Sequence, residues 1–129
     1  MANKPKKCIP IADAEKLQKN YINTIGKLLK QEYGHDEVQD FSWTAGDLED
    51  YIAWLKEKTG IEDPSKLGLR FYLGKYDKED NTQTTLFVAP FKVDETTGEN
   101  VNLLKAEGVD EEVEPLNDAG QGWPPTIYP

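Results

Sequence analysis

Apolar side chains able to form a hydrophobic core are concentrated in the first 104 residues of this 129-residue chain. Leu, Ile, Val and Phe account for 25 of residues 1–104 but for only 4 of residues 105–129. A chain folds only where the burial of such side chains offsets the loss of conformational entropy. We therefore predict a single domain over residues 8–104, followed by a weakly structured, acidic, Gly/Pro-rich tail over residues 105–129.

Charge is distributed as unevenly as apolar residues. The chain has 15 basic and 24 acidic residues and a net charge of −9, yet residues 1–33 contain 7 basic and only 3 acidic groups. A pI near 4.6 argues against nucleic acid and against an anionic membrane surface as partners, because both are bound through basic faces. Charge alone leaves one further hypothesis for function open, in which rows of carboxylates mimic the phosphates of DNA and occupy a DNA-binding protein.

Several patterns predict a cytoplasmic location. No stretch reaches the roughly 20 apolar residues that a membrane-spanning helix needs. The basic start of the sequence is not followed by the apolar segment of a secretory signal. The single Cys cannot form a disulfide within the chain, which fits a reducing compartment.

Cysteine and histidine occur once each, as Cys8 and His35, and this limits the available chemistry. A zinc site made of Cys and His side chains cannot be assembled within one such chain. A Cys8–His35 nucleophilic pair is formally possible, but Cys8 lies in a Lys/Pro-rich segment near the N-terminus. The sequence predicts no metal and no cofactor, and it favours a protein that is not an enzyme.

Two amphipathic helices are predicted from apolar residues spaced three or four positions apart. The first spans residues 11–32, and its apolar stripe includes Leu17, Tyr21, Ile25 and Leu28. The second spans residues 45–59. Thr44 and Asp47 are placed to form a capping box at its start, and Gly60 is placed to form its C-cap. Its apolar stripe contains Leu48, Tyr51, Ile52 and Leu55.

Trp54 and the acids of the second helix each have two interpretations. Trp54 flanks the apolar stripe, and we ask whether it belongs to the core. Asp47, Glu49 and Asp50 form a carboxylate cluster that could serve metal or acid–base chemistry. The favoured interpretation is that these acids complement the positive end of the helix dipole.

Alternating apolar residues predict strands over residues 69–76 and 84–92, and the short link between them favours an antiparallel hairpin. Shorter strands are predicted at 38–43 and 101–104. The order helix, strand, helix, strand, strand indicates the α+β class. We predict a small antiparallel sheet of three to four strands with two helices packed on one face.

Arg70 is the only arginine, and it lies in the middle of a predicted strand with Tyr72 and Tyr76 on the same face. A guanidinium group can bind a carboxylate or phosphate through two hydrogen bonds. We therefore treat these three residues as a candidate small-molecule site, which could be enzymatic. The alternative is an arginine on an open sheet face, paired with one of the many acids. Burial, and a pocket facing the side chain, distinguish the two.

The end of the chain carries a second candidate site, this time for a protein partner. Pro124 and Pro125 favour an extended polyproline conformation, and Trp123 and Tyr128 add apolar area beside them. This segment has three interpretations: a ligand for a partner's aromatic groove, a cover for an apolar patch of its own domain, or disorder. The leading hypothesis for function is a non-catalytic binding or protein-interaction module, with a protein partner or self-association.

Four segments of the sequence resemble a group of small bacterial α+β proteins of unknown function that carry a Gly/Pro-rich tail. The segments are Ile9-Pro-Ile-Ala-Asp-Ala14, Trp43 to Leu55 with Asp50-Tyr51, Gly68-Leu-Arg-Phe-Tyr-Leu-Gly-Lys-Tyr76, and Thr85-Leu-Phe-Val-Ala-Pro90. The resemblance covers roughly residues 9–92 and depends on structural rather than catalytic motifs. It implies a cytoplasmic bacterial protein and no particular activity. Ala12 stands where a Ser often begins the first helix of that group.

Overall fold

The chain forms two separate units by its internal contacts, one rich in helix and one containing the main sheet. A computed structural model describes residues 2–77, 83–105, 112–117 and 128, and the backbone of residues 120–121. The helical unit comprises Met1–Asp40 with Gly122–Pro129, and the sheet unit comprises Phe41–Gln121.

The helical unit contains one helical segment in three parts, which confirms the helix predicted over residues 11–32. Helix α1 (Ile11–Tyr21) continues through a π-helical turn (Ile22–Gly26) into helix α2 (Lys27–Tyr33). Pro10 precedes α1 and provides no side-chain cap, whereas Gly34 ends α2 in the left-handed conformation. Within the π turn, the Thr24 hydroxyl donates to the Asn20 carbonyl at 2.5 Å. Such bonds to the preceding turn often accompany helix distortion.

The apolar stripe of this helical segment is exposed to solvent. Leu17, Ile25 and Leu28 each expose more than half of their surface, and none of the residues of α1 or α2 is buried. Among the described residues of the helical unit, only Glu37 and Val38 are buried. Periodicity thus predicted which face of the helix is apolar, but it carried no information about what covers that face.

The sheet unit contains two antiparallel pairings. Strand β1 (Phe41–Ser42) pairs with a short strand, Gly120–Gln121, near the end of the chain. Strands β2 (Leu67–Lys75), β3 (Thr84–Val93) and β4 (Asn100–Asn102) form a three-stranded sheet in that order. The α+β class and the antiparallel β2–β3 hairpin are therefore confirmed. The strand predicted at 38–43 is reduced to β1, which pairs outside this sheet.

Helix α3 (Ala45–Thr59) packs on one face of the three-stranded sheet. The predicted capping box is confirmed: Asp47 N donates to Thr44 Oγ1 at 3.0 Å, and Thr44 N donates to Asp47 Oδ2 at 3.1 Å. Gly60 ends the helix with a φ of 72°. Partly buried Trp43, Leu67, Leu69 and Leu116 pack against the buried core residues, which are Tyr51, Leu55, Val88 and Val113.

Residues 112–117 contribute to this core although they follow the domain boundary predicted after residue 104. Val113 exposes 3% of its surface. Leu116 and Val88 exchange two backbone hydrogen bonds of 2.8 Å, so this segment lies against β3 as an isolated bridge. Two apolar residues beside Pro115 are too few to give a strand pattern in the sequence. In the structure, the backbone of β3 supplies the hydrogen-bond partner of this segment. The predicted boundary therefore does not coincide with an edge of the core.

Candidate functional site

Arg70 is brought together with Tyr72 on the sheet face opposite the core, and residues of β4 hold it there. Its Nη1 donates to Asn102 Oδ1 at 2.6 Å, and its Nη2 donates to the Asn100 carbonyl at 3.1 Å. The guanidinium carbon lies 5.1 Å from the centroid of the Phe91 ring. Both hydrogen bonds go to neutral groups of the sheet itself, so the arginine is fixed in place without an acidic partner at these positions.

Tyr72 belongs to the same hydrogen-bonded cluster, whereas Tyr76 does not. Asn102 Nδ2 donates to the Tyr72 hydroxyl at 3.3 Å, and the Tyr72 ring stacks on Phe87 with a centroid distance of 5.2 Å. The hydrogen bonds from Asn102 and then Arg70 lower the pKa of Tyr72, because they favour the phenolate. Tyr76 instead accepts a 3.5 Å bond from Thr85 Oγ1 at the end of the strand.

The Arg70 cluster lies on an open face of the sheet rather than in a pocket. The described residues form cavities of about 540, 410 and 360 Å³, and neither Arg70 nor Tyr72 lines any of these three. The polar atoms of the cluster are used to tie β2 to β4. The ring of Phe91 covers Gly68, where an added Cβ would collide with the ring. In this arrangement Arg70 and Tyr72, two of the three residues predicted as a ligand site, join β2 to β4 across the sheet.

Of the partner-binding residues predicted near the end of the chain, the structure describes Tyr128. Trp123, Pro124 and Pro125 lie outside the described residues. Tyr128 exposes 43% of its surface, and its backbone N donates to Gln18 Oε1 at 2.6 Å within the helical unit.

A cavity of about 410 Å³ beside helix α3 brings together aromatic and acidic side chains that were interpreted separately from the sequence. Its lining includes Leu116 and Asn117 of the 112–117 segment. The helix side of the lining is formed by Trp43, Asp47, Asp50, Tyr51 and Trp54. We refer to this site as the aromatic–acidic cavity.

The rings of this cavity are held by hydrogen bonds to the 112–117 segment. Trp43 Nε1 donates to the Asn117 carbonyl at 3.0 Å, and the Tyr51 hydroxyl donates to the Glu114 carbonyl at 2.8 Å. The Tyr51 and Trp54 rings stack with centroids 6.0 Å apart and planes inclined by 24°. Burial raises the pKa of Tyr51 to about 12, so its hydroxyl remains a donor further into the alkaline range than that of an ordinary tyrosine.

A helical spacing in the sequence could have found this cavity. The other four helix-side residues follow Trp43 at intervals of 4, 7, 8 and 11 positions, which places them on one side of a helix. From the sequence these residues had separate structural roles: Tyr51 in the apolar stripe, the acids as partners of the helix dipole, and Trp54 as a possible core residue. Trp54 exposes 38% of its surface and lies outside the buried core.

A larger cavity, of about 540 Å³, lies where the end of α3 meets the turn between β3 and β4. Two of the four carboxylates that line it are already used in turns. Asp63 accepts from Ser65 N at 2.9 Å, and Asp94 accepts from Thr96 N at 2.8 Å and Thr97 N at 2.9 Å. These backbone hydrogen bonds lower the pKa of both Asp63 and Asp94. The described residues contain no group of three or more His, Cys, Asp or Glu side chains arranged to hold a metal ion.

Within the described ranges, no helix combines the length and the apolar character required to cross a membrane. Comparisons with protein-family models, with curated proteins and with solved structures find no match to this chain.

Proposed function

We propose that this chain is a non-catalytic, cytoplasmic protein-interaction module that pairs with a second copy of itself along strand β2. The observation that carries this proposal is a sheet edge that no other described strand covers, together with exposed apolar side chains. Strand β2 lies at the edge of the three-stranded sheet, where Phe71 exposes 55% and Leu73 76% of its surface. An edge strand of this kind is a template for pairing with another chain.

Strand β2 lacks two of the features that usually prevent edge pairing, a bulge and a proline, and its charged residues are limited to Arg70 and Lys75. Its nine residues keep an unbroken register with β3, so no bulge twists the edge away. They include no proline, and they include no acid although the chain has 24. A long, regular and partly apolar edge therefore stands out in an otherwise strongly acidic molecule.

The strand is also complementary to itself. Phe71 is the midpoint of Leu67–Lys75, so antiparallel pairing about this residue uses all nine positions. In that register Phe71 faces Phe71, Leu69 faces Leu73, and Arg70 faces Tyr72 of the second copy. No two charges of the same sign are directly opposite each other, and apolar pairs across strands are stabilising.

The proposal is tested by measuring the mass of the full chain by sedimentation equilibrium from micromolar to millimolar concentration. We expect a dimer that dissociates on dilution. Phe71→Lys places two ammonium groups opposite each other, and it should raise the dissociation constant about 100-fold through lost apolar burial and repulsion. Phe71→Glu should do the same, and an equimolar mixture of the two variants should recover a heterodimer.

A matched control uses a residue of equal exposure outside the strands. Leu104 exposes 73% of its surface, so Leu104→Ser should leave dimerisation unchanged while Leu73→Ser weakens it. Circular dichroism of each variant checks that the fold is retained. A wild-type chain that stays monomeric at millimolar concentration would contradict the proposal, as would a dimer that survives Phe71→Lys.

A small-molecule site at Arg70 and Tyr72 has less support as a second candidate. The guanidinium already binds Asn102 and the Asn100 carbonyl, and both candidate residues lie away from the three cavities described above. A ligand would have to replace hydrogen bonds that join β2 to β4. In the register of the proposed pairing, Arg70 lies opposite Tyr72 of the second copy.

A further inference from the structure

The aromatic–acidic cavity has the composition of a site for an organic cation. Three aromatic side chains, Trp43, Tyr51 and Trp54, line a space of about 410 Å³ together with the carboxylates of Asp47 and Asp50. This volume is in the range of ligand pockets, about 300–1,000 Å³. The negative faces of aromatic rings attract ammonium and guanidinium groups, and carboxylates add to this attraction.

Within the cavity, the polar groups differ in what they leave available to a ligand. The Trp43 indole and the Tyr51 hydroxyl already donate to carbonyls of the 112–117 segment. Asp47 accepts from Thr44 N in the capping box. Asp50 has no hydrogen-bond or ion-pair partner in the part of the chain that the structure describes. The cavity therefore presents two kinds of contact to a ligand: the faces of the aromatic rings, and the carboxylate of Asp50.

The chain itself shows an ammonium group near one of these rings. Lys58 Nζ lies 6.0 Å from the centroid of the Trp54 ring, and Lys58 is not among the residues that line the cavity. This distance is at the limit of a cation–π interaction, about 6 Å. The sheet unit as a whole is acidic by sequence, with 18 acidic and 8 basic residues. A positively charged ligand is thus favoured both locally and by the field of the unit.

We propose that the aromatic–acidic cavity binds the side chain of a lysine presented by a partner protein. The four-carbon stem of lysine packs on the aromatic rings and Leu116, and its ammonium group donates hydrogen bonds to Asp50. A quaternary ammonium has no N–H to donate and leaves this carboxylate without a hydrogen bond. This site lies on the α3 side of the sheet unit, where the Trp43 ring centroid lies 6.3 Å from that of Phe71, and its test leaves the sequence of β2 unchanged.

The experiment titrates the full ¹⁵N-labelled chain with Nα-acetyl-lysine N-methylamide and follows the indole N–H signals of Trp43 and Trp54. Replacement of each tryptophan by phenylalanine assigns the signals. We expect both signals to shift in a saturable manner, and added NaCl to weaken the binding. The Nε-acetylated form of the same probe has an equal stem but no charge, and it should produce no saturable shift.

Paired variants separate the role of the cavity from that of overall charge. Asp50→Asn should weaken binding about 3-fold, the size of an exposed ion pair. Glu49→Gln removes the same charge from a neighbouring exposed position that does not line the cavity, and it should leave the affinity unchanged. Trp54→Leu keeps apolar bulk but removes the ring face, and we expect about a 5-fold loss.

Four results would overturn the proposal. The first is the absence of any shift at Trp43 and Trp54 with the charged probe. The second is equal binding of the acetylated probe, which would indicate apolar burial without charge recognition. The third is tighter binding of Nα-acetyl-arginine N-methylamide, which would indicate a guanidinium site. The fourth is an equal loss of affinity in the Glu49→Gln and Asp50→Asn variants.

Discussion

Helix α3 and the α1–α2 segment have similar sequence signals but very different surroundings. Both have apolar residues at helical spacing, and both end at a glycine in the left-handed conformation. Helix α3 buries Tyr51 and Leu55 against the sheet, whereas no residue of α1 or α2 is buried. The comparison shows that an apolar stripe makes a helix ready for burial, while the partner that covers it is specified elsewhere in the chain.

The largest expected effect contrasts two leucines of these helices. Leu55 is fully buried, and Leu55→Ala should lower the free energy of unfolding by about 3 kcal/mol through lost packing and an added cavity. Leu28 exposes 64% of its surface, so Leu28→Ala should change it by less than about 0.5 kcal/mol. Urea denaturation followed by circular dichroism measures both. Equal losses would mean that the α2 stripe is covered in solution.

A second prediction concerns the chain segment that completes the core beneath α3. Val113→Ala should lower the free energy of unfolding by about 2 kcal/mol, because Val113 is buried in the core cluster. Val101→Ala is the control on β4, since Val101 exposes 40% of its surface. If the two substitutions have the same small effect in urea denaturation, residues 112–117 do not belong to the core.

A third prediction compares two threonine hydroxyl groups, one that caps the start of a helix and one that bonds back to the preceding turn. Thr44→Ala removes the N-cap of α3 and should lower the free energy of unfolding by about 1 kcal/mol. Thr24→Ala removes a hydroxyl that bonds back to Asn20 in the π turn, so stability should be unchanged or slightly higher. Thermal unfolding of the two variants measures the difference, and a larger loss for Thr24→Ala would reverse the assigned roles.

The smallest expected effect is a fall in the free energy of unfolding at alkaline pH, caused by the titration of Tyr51 on α3. The pKa of Tyr51 is raised from 10 in the unfolded chain to about 12 by burial. Below pH 10 the tyrosine is neutral in both states, and between pH 10 and 12 the unfolded chain loses this proton more readily. Stability should therefore fall as the pH rises through this interval.

The Tyr51→Phe variant isolates this contribution. It removes the hydrogen bond to Glu114 and should cost about 1 kcal/mol at neutral pH. It should also reduce the loss of stability between about pH 9 and pH 11, measured by urea denaturation at both values. An unchanged pH dependence in this variant would assign the alkaline loss to other groups.

Local signals predicted the elements of the fold well. Thr44, Asp47 and Gly60 specified the ends of α3 because capping depends on residues a few positions apart. The hairpin of β2 and β3 followed from alternating apolar residues and a short link. The burial of Val113 and Leu116 was missed, because their partner Val88 lies more than 20 positions earlier and no local pattern records such a contact.

The candidate sites show the same limit. Arg70 and Tyr72 were placed on one sheet face by the two-residue period of a strand, but the amides that hold them come from β4. Trp43, Asp50 and Trp54 already share a side of a helix in the sequence. The sequence pattern gave no sign of Asn117, which lies 74 residues after Trp43 in the chain and whose carbonyl accepts the hydrogen bond from the Trp43 indole.

The hydrogen bonds from Trp43 to Asn117 and from Tyr51 to Glu114 have a consequence for biosynthesis. They join residues 74 and 63 positions apart, so the ribosome must release nearly the whole described chain before either bond can form. Helix α3 and its capping box can form much earlier, because they need only neighbouring residues. During translation the Trp43 and Tyr51 side chains therefore lack their bonds to Asn117 and Glu114, and the cavity is among the last features of the described chain to be assembled.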